Sequence, residues 1–526
     1  MLRSVLLILI LGFAVNAFKV LILHPFPSIS HQAPVMALTE ALVKKGHQLF
    51  VVSPNVVPGL AENYTYVDVS FSYKYVSEGK SEETINLQTQ ITKWEVLKLM
   101  ESVFTIPGRQ FKSSAFLQFY KQVKIEEIKF DVVLVEFLYI PFGCAMSRLL
   151  NGNGHTPIIS FSSGSADFFT EGHLGSISHH SFIPSFMDPY TDKMNMLEKI
   201  DSWFSTFYIQ SKIEAAVTEA AENFFREAYG QESVKLVDGC WSNTSLSMVS
   251  SNFLYFYPRL LGPNVIELGP MHIKEPAKLP KNIHDWLDGA DKGVIYFSLG
   301  SNMKSKSLSV AVRENFLKFF RELPAGYRVL WKWELDGTIP GQSDNILAQK
   351  WTPQQSVLAH PKVRVFITQG GLQSFQETVH HGVPTVGIPW FGDQELNVAK
   401  MVDAGIGSRL RPQELYSFEK VKAAVEAVLY GKSYLKNIKR LSAISREFTS
   451  QSLDKAVFWV EHIAKYGDAN HLRPSTADAT LFEYLCLDII AVILVSILIV
   501  FYLIRNVFSF IVRSISPLSG SKIKKP

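Results

Sequence analysis

Phe366-Ile-Thr-Gln-Gly-Gly-Leu-Gln-Ser-Phe-Gln-Glu-Thr-Val-His-His-Gly-Val-Pro-Thr-Val-Gly-Ile-Pro-Trp-Phe-Gly-Asp-Gln394 changes its period twice within one run. It opens on the end of an apolar, β-branched segment at 363–368 and breaks at Gly370-Gly371. It then keeps a helical spacing over 371–381 and returns to an apolar run at 384–389 after Gly382 and Pro384. Strand, glycine turn, helix and strand in that order make a βαβ unit of a parallel sheet. The same alternation continues upstream, with strands expected at 293–300, entering a Gly-Ser-Asn turn, and at 328–333.

A second set of signals lies near the N-terminus. Residues 18–23 form a β-rich run, followed by His24-Pro-Phe-Pro-Ser-Ile-Ser30 and a helical pattern from His31 in which Val35, Leu38 and Leu42 recur three and four apart. Gly46 closes that helix and 49–53 reads as the next strand, with further strands expected at 132–135 and 157–161. The proline-marked stretch 263–280 separates the two sets. An α/β fold with two Rossmann-like domains follows, 18–275 and 276–484, with ligands expected in the cleft outside the carboxyl ends of the strands. The aromatic-rich helical segments 94–104 and 111–120 read as core, with the lining of an apolar pocket as the alternative. No Gly-x-Gly-x-x-Gly occupies the first turn, which argues against a dinucleotide dehydrogenase.

Composition limits the function classes. Of 526 residues, 47% are hydrophobic and 19% charged, too apolar for a disordered chain. A formal charge of +4 makes a nucleic-acid binder a poor reading, because phosphate binding demands clustered Lys and Arg. Three cysteines, Cys144, Cys240 and Cys486, are too few for a disulfide scaffold or a structural zinc site; one pair is possible and nothing in the spacing forces it.

The ends explain the excess hydrophobicity. Residues 1–17 read as a signal peptide, with Arg3 before an apolar stretch and small Ala17 at its close. Residues 485–504 are interrupted only by Asp488 and have the length of a transmembrane helix. The tail 505–526 carries Arg505, Arg513, Lys522, Lys524 and Lys525 and no acid, so the positive-inside rule places it in the cytoplasm and the body across the membrane. Taking Arg3 and these five from the 52 Lys and Arg leaves 46 against 48 acids, a net −2 for 18–504. Asn63-Tyr-Thr65 and Asn243-Thr-Ser245 are N-glycosylation sequons. Lys522-Ile-Lys524-Lys-Pro526 fits a Lys-x-Lys-x-x retrieval pattern and equally a simple topology anchor, which points to the endoplasmic reticulum membrane with a lumenal body.

The run 366–394, together with Trp351-Thr-Pro-Gln-Gln355, Gly300-Ser301-Asn302, Tyr257-Pro-Arg259 and His471-Leu-Arg-Pro474, resembles the UDP-glycosyltransferase family, in a variant like that of the invertebrate, particularly insect, branch. The resemblance implies a GT-B fold, with a UDP-sugar held by the C-terminal half and a small lipophilic acceptor by the N-terminal half. Trp351 is expected to stack on the uracil, with Gln354 on base or ribose and Glu377 accepting from the ribose hydroxyls. Gly370, Gly371 and the helix start admit the diphosphate, aided by Ser301 and Ser374. Asp393 and Gln394 are expected on the sugar hydroxyls. Gln369 and Gln373 stand where relatives commonly carry His and Asn, so phosphate stabilisation at Gln369 is expected to be uncharged and insensitive to pH.

By the same resemblance His31 is the general base, with His24 its local competitor. Asp131 starts the 132–135 strand and reads as its cap, whereas Glu136 ends the strand and is expected to reach the distal nitrogen of His31, forming a dyad. No His cluster or Asp-x-Asp pair marks a metal site, so no metal cofactor is expected and the UDP-sugar is a co-substrate. The leading reading is a metal-independent inverting transfer of a hexose, glucose favoured, from a UDP-sugar to hydroxyl groups of small lipophilic acceptors. Glucuronate is the alternative sugar, and a catalytically weak carrier of lipophilic ligands the alternative class. A serine hydrolase built on Ser160-Phe-Ser-Ser-Gly164 lacks the Gly-x-Ser-x-Gly elbow.

Overall fold

The computed structural model describes residues 17–77, 90–152, 156–165, 172–176, 179–301 and 303–515. The expected signal peptide, apart from Ala17, and the tail lysines at 522–525 lie outside them. The chain divides into two units, 1–473 and 474–526.

The first unit holds two all-parallel sheets. The N-terminal sheet comprises β1 (Lys19–Leu23), β2 (Gln48–Ser53), β3 (Tyr64–Asp68), β4 (Val132–Glu136), β5 (Ile158–Ser162), β6 (Thr244–Val249) and β7 (Val265–Glu267), in the order β3-β2-β1-β4-β5-β6-β7. The second comprises β8 (Gly293–Phe297), β9 (Tyr327–Lys332), β10 (Ile346–Gln349), β11 (Val363–Thr368), β12 (Thr385–Gly387) and β13 (Gly407–Arg409), in the order β10-β9-β8-β11-β12-β13. In each sheet the order reverses beside the first strand, between β1 and β4 and between β8 and β11. That reversal opens a crevice at the carboxyl ends where no crossover covers the sheet.

Continuous apolar strands such as Val132–Glu136 follow from burial on both faces. Leu21, Phe50 and Val133 face one core, against the helix Ile140–Leu150, while Val20, Leu49 and Leu134 face the other, against the helix Ile29–Lys44. The helix Ser452–Tyr466, late in the sequence, also packs on this second face through Ala456, Val457 and Val460. The chain thus returns to its first sheet after completing the second. Sequence-expected strands match within a residue or two, except that β8 ends at Phe297, three residues short of the expected 293–300; the segment 111–120 instead splits into helices Ile106–Phe111 and Ser114–Ile125. Its phenylalanines, Phe111, Phe116 and Phe119, are buried in the core, and Tyr120 packs partly buried against it.

Cys144 and Cys240 form a disulfide with Cα atoms 5.7 Å apart, tying the helix Ile140–Leu150 to the segment that leads into β6. In the second unit the helix Leu487–Ile515 has 29 residues, about 44 Å at 1.5 Å per residue, and is long and apolar enough to cross a membrane. It runs further than the expected 485–504 span and fits a single-pass anchor.

A crosslink over 96 residues of chain contributes about 4–5 kcal/mol by loop-closure entropy. The Cys144→Ser/Cys240→Ser protein is therefore expected to melt well below the wild type. Equal melting temperatures, measured with and without reductant, would show that the bridge does not constrain the chain.

Candidate functional site

The crevice of the N-terminal sheet carries the base candidates. His31 lies in the first turn of the helix Ile29–Lys44, which follows β1 through the Pro25-Phe26-Pro27 bend, and Glu136 ends β4, the strand next to β1. The topology therefore brings the two together across 105 positions of sequence, with His31 Nδ1 3.9 Å from Glu136 Oε1. That distance is an ion-pair approach and too long for a hydrogen bond. The nitrogen instead pairs with Ser163 Oγ at 2.9 Å, and Glu136 Oε2 accepts from the Phe26 backbone N–H at 3.2 Å. The expected dyad is thus a juxtaposition, and the hydrogen-bonded partner of His31 is a serine that sequence reasoning passed over.

Exposure separates the two histidines. The His31 side chain is 35% exposed at the crevice, its ring 4.7 Å from that of Phe26. His24 is buried at the end of β1, where its Nδ1 pairs with the Gln32 amide at 2.9 Å and Gln32 also donates to the Phe26 carbonyl at 2.7 Å. His24 and Gln32 thus brace the bend that presents His31. Asp131 accepts from the Lys19 N–H at 2.7 Å, at the opposite end of the strands, as its position before β4 predicts.

Burial sets the electrostatics. Desolvation pushes the Glu136 carboxyl up to about 8, against a stabilising hydrogen bond from Phe26. Desolvation also lowers His24 to about 3, with repulsion from His31 as a second cause, and holds His31 below its usual value. At neutral pH all three are uncharged, which leaves His31 competent to accept a proton.

The crevice of the second sheet lies between two glycine turns. Gly300, after β8, and Gly370, after β11, have φ of +81° and +84°. A Cβ on Gly300 would stand 2.4 Å from the Gln369 amide nitrogen, and one on Gly370 2.4 Å from Val398 Cγ2. Gln369 is buried between the turns. Gly371 caps the helix Leu372–His381, whose positive dipole end opens into the same crevice, the Leu372 N–H itself donating to the Asp393 carboxylate. Ser301 follows Gly300 on the facing turn.

The remaining candidates divide into two groups. Gln354 donates to Ser374 Oγ at 2.9 Å and to Glu377 Oε2 at 2.7 Å, so three predicted residues meet. Glu377 is held further by Gln355 at 3.2 Å and approached by His272 Nε2 at 3.3 Å, neither of which sequence reasoning singled out. Trp351 lies just beyond β10 with 63% of its surface exposed, a free ring face with Lys332 Nζ 5.6 Å from its centre. In the other group, Asp393 caps the helix Gln394–Asp403 and accepts from Asn397 at 2.9 Å. Gln394 is buried and accepts from the Trp390 N–H at 2.9 Å, so its carbonyl oxygen is engaged in its own turn. Gln373 points across the cleft and donates to the Ser163 carbonyl at 2.9 Å. Gln376, one turn on, donates to the Ser250 carbonyl at 2.8 Å. Of the sequons, Asn63 is exposed before β3 and Asn243 partly exposed before β6.

The raised Glu136 has a stability signature. Its folded-state value near 8 exceeds the unfolded 4.5, so between these limits the folded chain holds a proton that the unfolded chain has lost, and stability falls as pH rises through the window. Wild type is expected to lose melting temperature relative to Glu136→Gln from pH 5 to 8.5; a constant gap between the two curves would contradict the buried acid. His24, with its folded value lowered, contributes the opposite slope below pH 6.5 in both proteins.

The family described as UDP-glucoronosyl and UDP-glucosyl transferase matches residues 19–521. Among curated relatives, a UDP-glycosyltransferase, UGT5, of Dactylopius coccus is 28% identical over 92% of this chain and 91% of its own length. UDP-glucuronosyltransferase 2B7 of Homo sapiens is 29% identical over 96% and 95%. Among solved structures, UGT2 of Phytolacca americana, complexed with UDP-2fluoro-glucose and pterostilbene, has a TM-score of 0.55 at 15% identity, covering 85% of this chain and all of that one. A UDP-glucose: anthocyanidin 3-O-glucosyltransferase in complex with UDP has a TM-score of 0.57 at 14% identity, over 86% and 99%. These neighbours share the GT-B architecture of two facing parallel sheets.

Proposed function

Because the chain belongs to the UDP-glucuronosyl and UDP-glucosyl transferase family and is a UDP-glycosyltransferase, we propose that it transfers glucose with inversion to hydroxyl groups of small lipophilic acceptors, His31 acting as the base. The observation that carries this reading is the position of His31: an uncharged, partly exposed imidazole at the crevice of one sheet, opposite the Gly370-Gly371 helix start of the other. His31 takes the acceptor's O–H proton as that oxygen bonds to the anomeric carbon, and the bond to the β-phosphate oxygen breaks on the opposite face with its electron pair leaving on UDP. The N–H groups at the start of the helix Leu372–His381 stabilise that developing charge. Trp351 stacks on the uracil, Gln354 and Glu377 hold the ribose, and Gln369, Ser301 and Ser374 border the phosphates.

Glu136 assists from 3.9 Å: as an anion it stabilises the imidazolium, so turnover gains as pH passes its titration near 8. Asp393 favours glucose over glucuronate, because a carboxylate beside the sugar repels the acidic donor and accepts from hydroxyls. Glucuronate remains the competing donor, since the human relative at 29% identity bears that name. Amides and hydroxyls supply the phosphate contacts, which supports a metal-independent reaction.

Microsomal turnover with paired UDP-glucose and UDP-glucuronate across a panel of phenols and steroids tests the whole reading. UDP-glucose should be preferred, EDTA should leave the rate unchanged, and His31→Ala should lower kcat by roughly 10²–10⁴. Equal activity in His31→Ala removes it as the base, preference for UDP-glucuronate reverses the sugar, Mn²⁺ rescue after EDTA overturns the metal-free route, and no UDP release at all supports a ligand carrier.

The apolar helix Leu487–Ile515 and the two sequons support a body that is anchored in the endoplasmic reticulum membrane and faces its lumen. Treatment of microsomal protein with peptide N-glycosidase should increase its mobility on gels, and Asn63→Gln should remove at least part of that shift. Unshifted protein would point to a cytoplasmic body.

A further inference from the structure

The base is usually oriented by a carboxylate, yet Glu136 stands 3.9 Å from His31 and spends its other oxygen on the Phe26 N–H. The group that does bond His31 Nδ1 is Ser163 Oγ, at 2.9 Å. Ser163 follows β5 directly, and its own carbonyl accepts from the Gln373 amide at 2.9 Å. Gln373 belongs to the first turn of the helix that starts at the Gly370-Gly371 turn. Two hydrogen bonds thus run from the donor half, through one residue, to the imidazole of the acceptor half.

We propose that Ser163 is the positioning residue that fixes the orientation of the His31 ring, and that Gln373 holds Ser163 in place from across the cleft. The proposal rests on His31 as the base. The bond holds the ring in one plane, and in the tautomer in which Ser163 Oγ accepts the Nδ1 proton the Nε2 lone pair is free to take the acceptor's proton. The other tautomer would place a hydrogen where that lone pair is needed. The serine hydroxyl carries no charge, so it orients the ring at every working pH, whereas Glu136 in the buried site is uncharged below its titration. Gln373 is long enough to cross the cleft and leaves the serine hydroxyl free by bonding the main chain. Gln373 projects from the helix that starts at the Gly370-Gly371 turn, so the support for Ser163 comes from the second half of the cleft.

The titratable groups facing His31 among the described residues are Glu136, from the end of β4, and His24, from the end of β1. Removing the Ser163 hydroxyl withdraws an acceptor that bonds the imidazolium more strongly than the neutral ring, so the base becomes harder to protonate. Ser163→Ala is expected to lower kcat by roughly tenfold or more, because a base free to turn is misplaced for the proton it must take. It should leave acceptor KM within about threefold and move the acid limb of the kcat profile to lower pH. Ser163→Thr, which keeps a hydroxyl, should restore both. Gln373→Leu should move the same limb, and its effect should not add to that of Ser163→Ala.

Wild-type kcat and an unmoved limb in a folded Ser163→Ala enzyme would overturn the proposal. Additive limb shifts in the double variant would remove Gln373 from it. His31→Ala measured alongside separates this failure from that of the base assignment: turnover surviving there sinks both, while loss there with an unaffected Ser163→Ala sinks only the relay.

Discussion

Two amides on one helix face hold the halves of the molecule in register. Gln373 and Gln376, three residues apart on the helix Leu372–His381, reach the main-chain carbonyls of Ser163 and Ser250, which directly follow β5 and β6 of the other sheet. Spacing of three places both side chains on the same side of the helix. The helix that starts at the Gly370-Gly371 turn is therefore the one that grips the carboxyl ends of the N-terminal sheet's strands. Further contacts reinforce the join: the Ile91 N–H donates to the Trp390 carbonyl at 2.8 Å, and the helix Ser452–Tyr466 lies on the first sheet. With the register set, each sheet's open crevice faces the other.

Within that cleft, charge is withheld until chemistry needs it. Glu136, His24 and His31 are all shifted toward their neutral forms, chiefly by desolvation. A buried ion without a bonded partner costs several kcal/mol, and the shift avoids that cost. The body as a whole carries nearly balanced charge, so no long-range field captures a diphosphate. The proposed capture falls instead to the backbone at Gly300, Gly370 and Gly371, where any Cβ on the first two would collide with Gln369 or Val398.

The legible parts of the site are those encoded by short runs. Gly370-Gly371 ahead of a helical period announces a turn and a helix start, and Gln354, Ser374 and Glu377, all chosen from short motifs, are bonded to one another. The strands expected from the sequence read closely because their apolar runs are continuous and bounded by glycine and proline, while β3, β6, β7, β10 and β13 are not legible in this way. What stayed hidden depends on contacts between distant positions. Ser163 sits 132 residues from His31, in a serine-rich turn that carried only a weak hydrolase signal. His272 and Gln355 bracket Glu377 from a linker and from a residue beside one already chosen. Gln394, expected on the sugar, is drawn into its own turn by Trp390, a local competition that residue type does not reveal.

The sequence by itself determined the class of fold, the anchor-length apolar segment, the family and the set of residue types in the cleft, since periodicity, glycine placement and apolar length are local properties of the chain. The tertiary structure decided which of those residues act on one another. It paired Cys144 with Cys240, seated His24 inside and His31 at the surface of the crevice, kept Glu136 near but unbonded, and gave the imidazole to Ser163. Those outcomes depend on distances of a few ångströms and on the loss of water around particular side chains. Both arise only when strands remote in sequence are laid side by side.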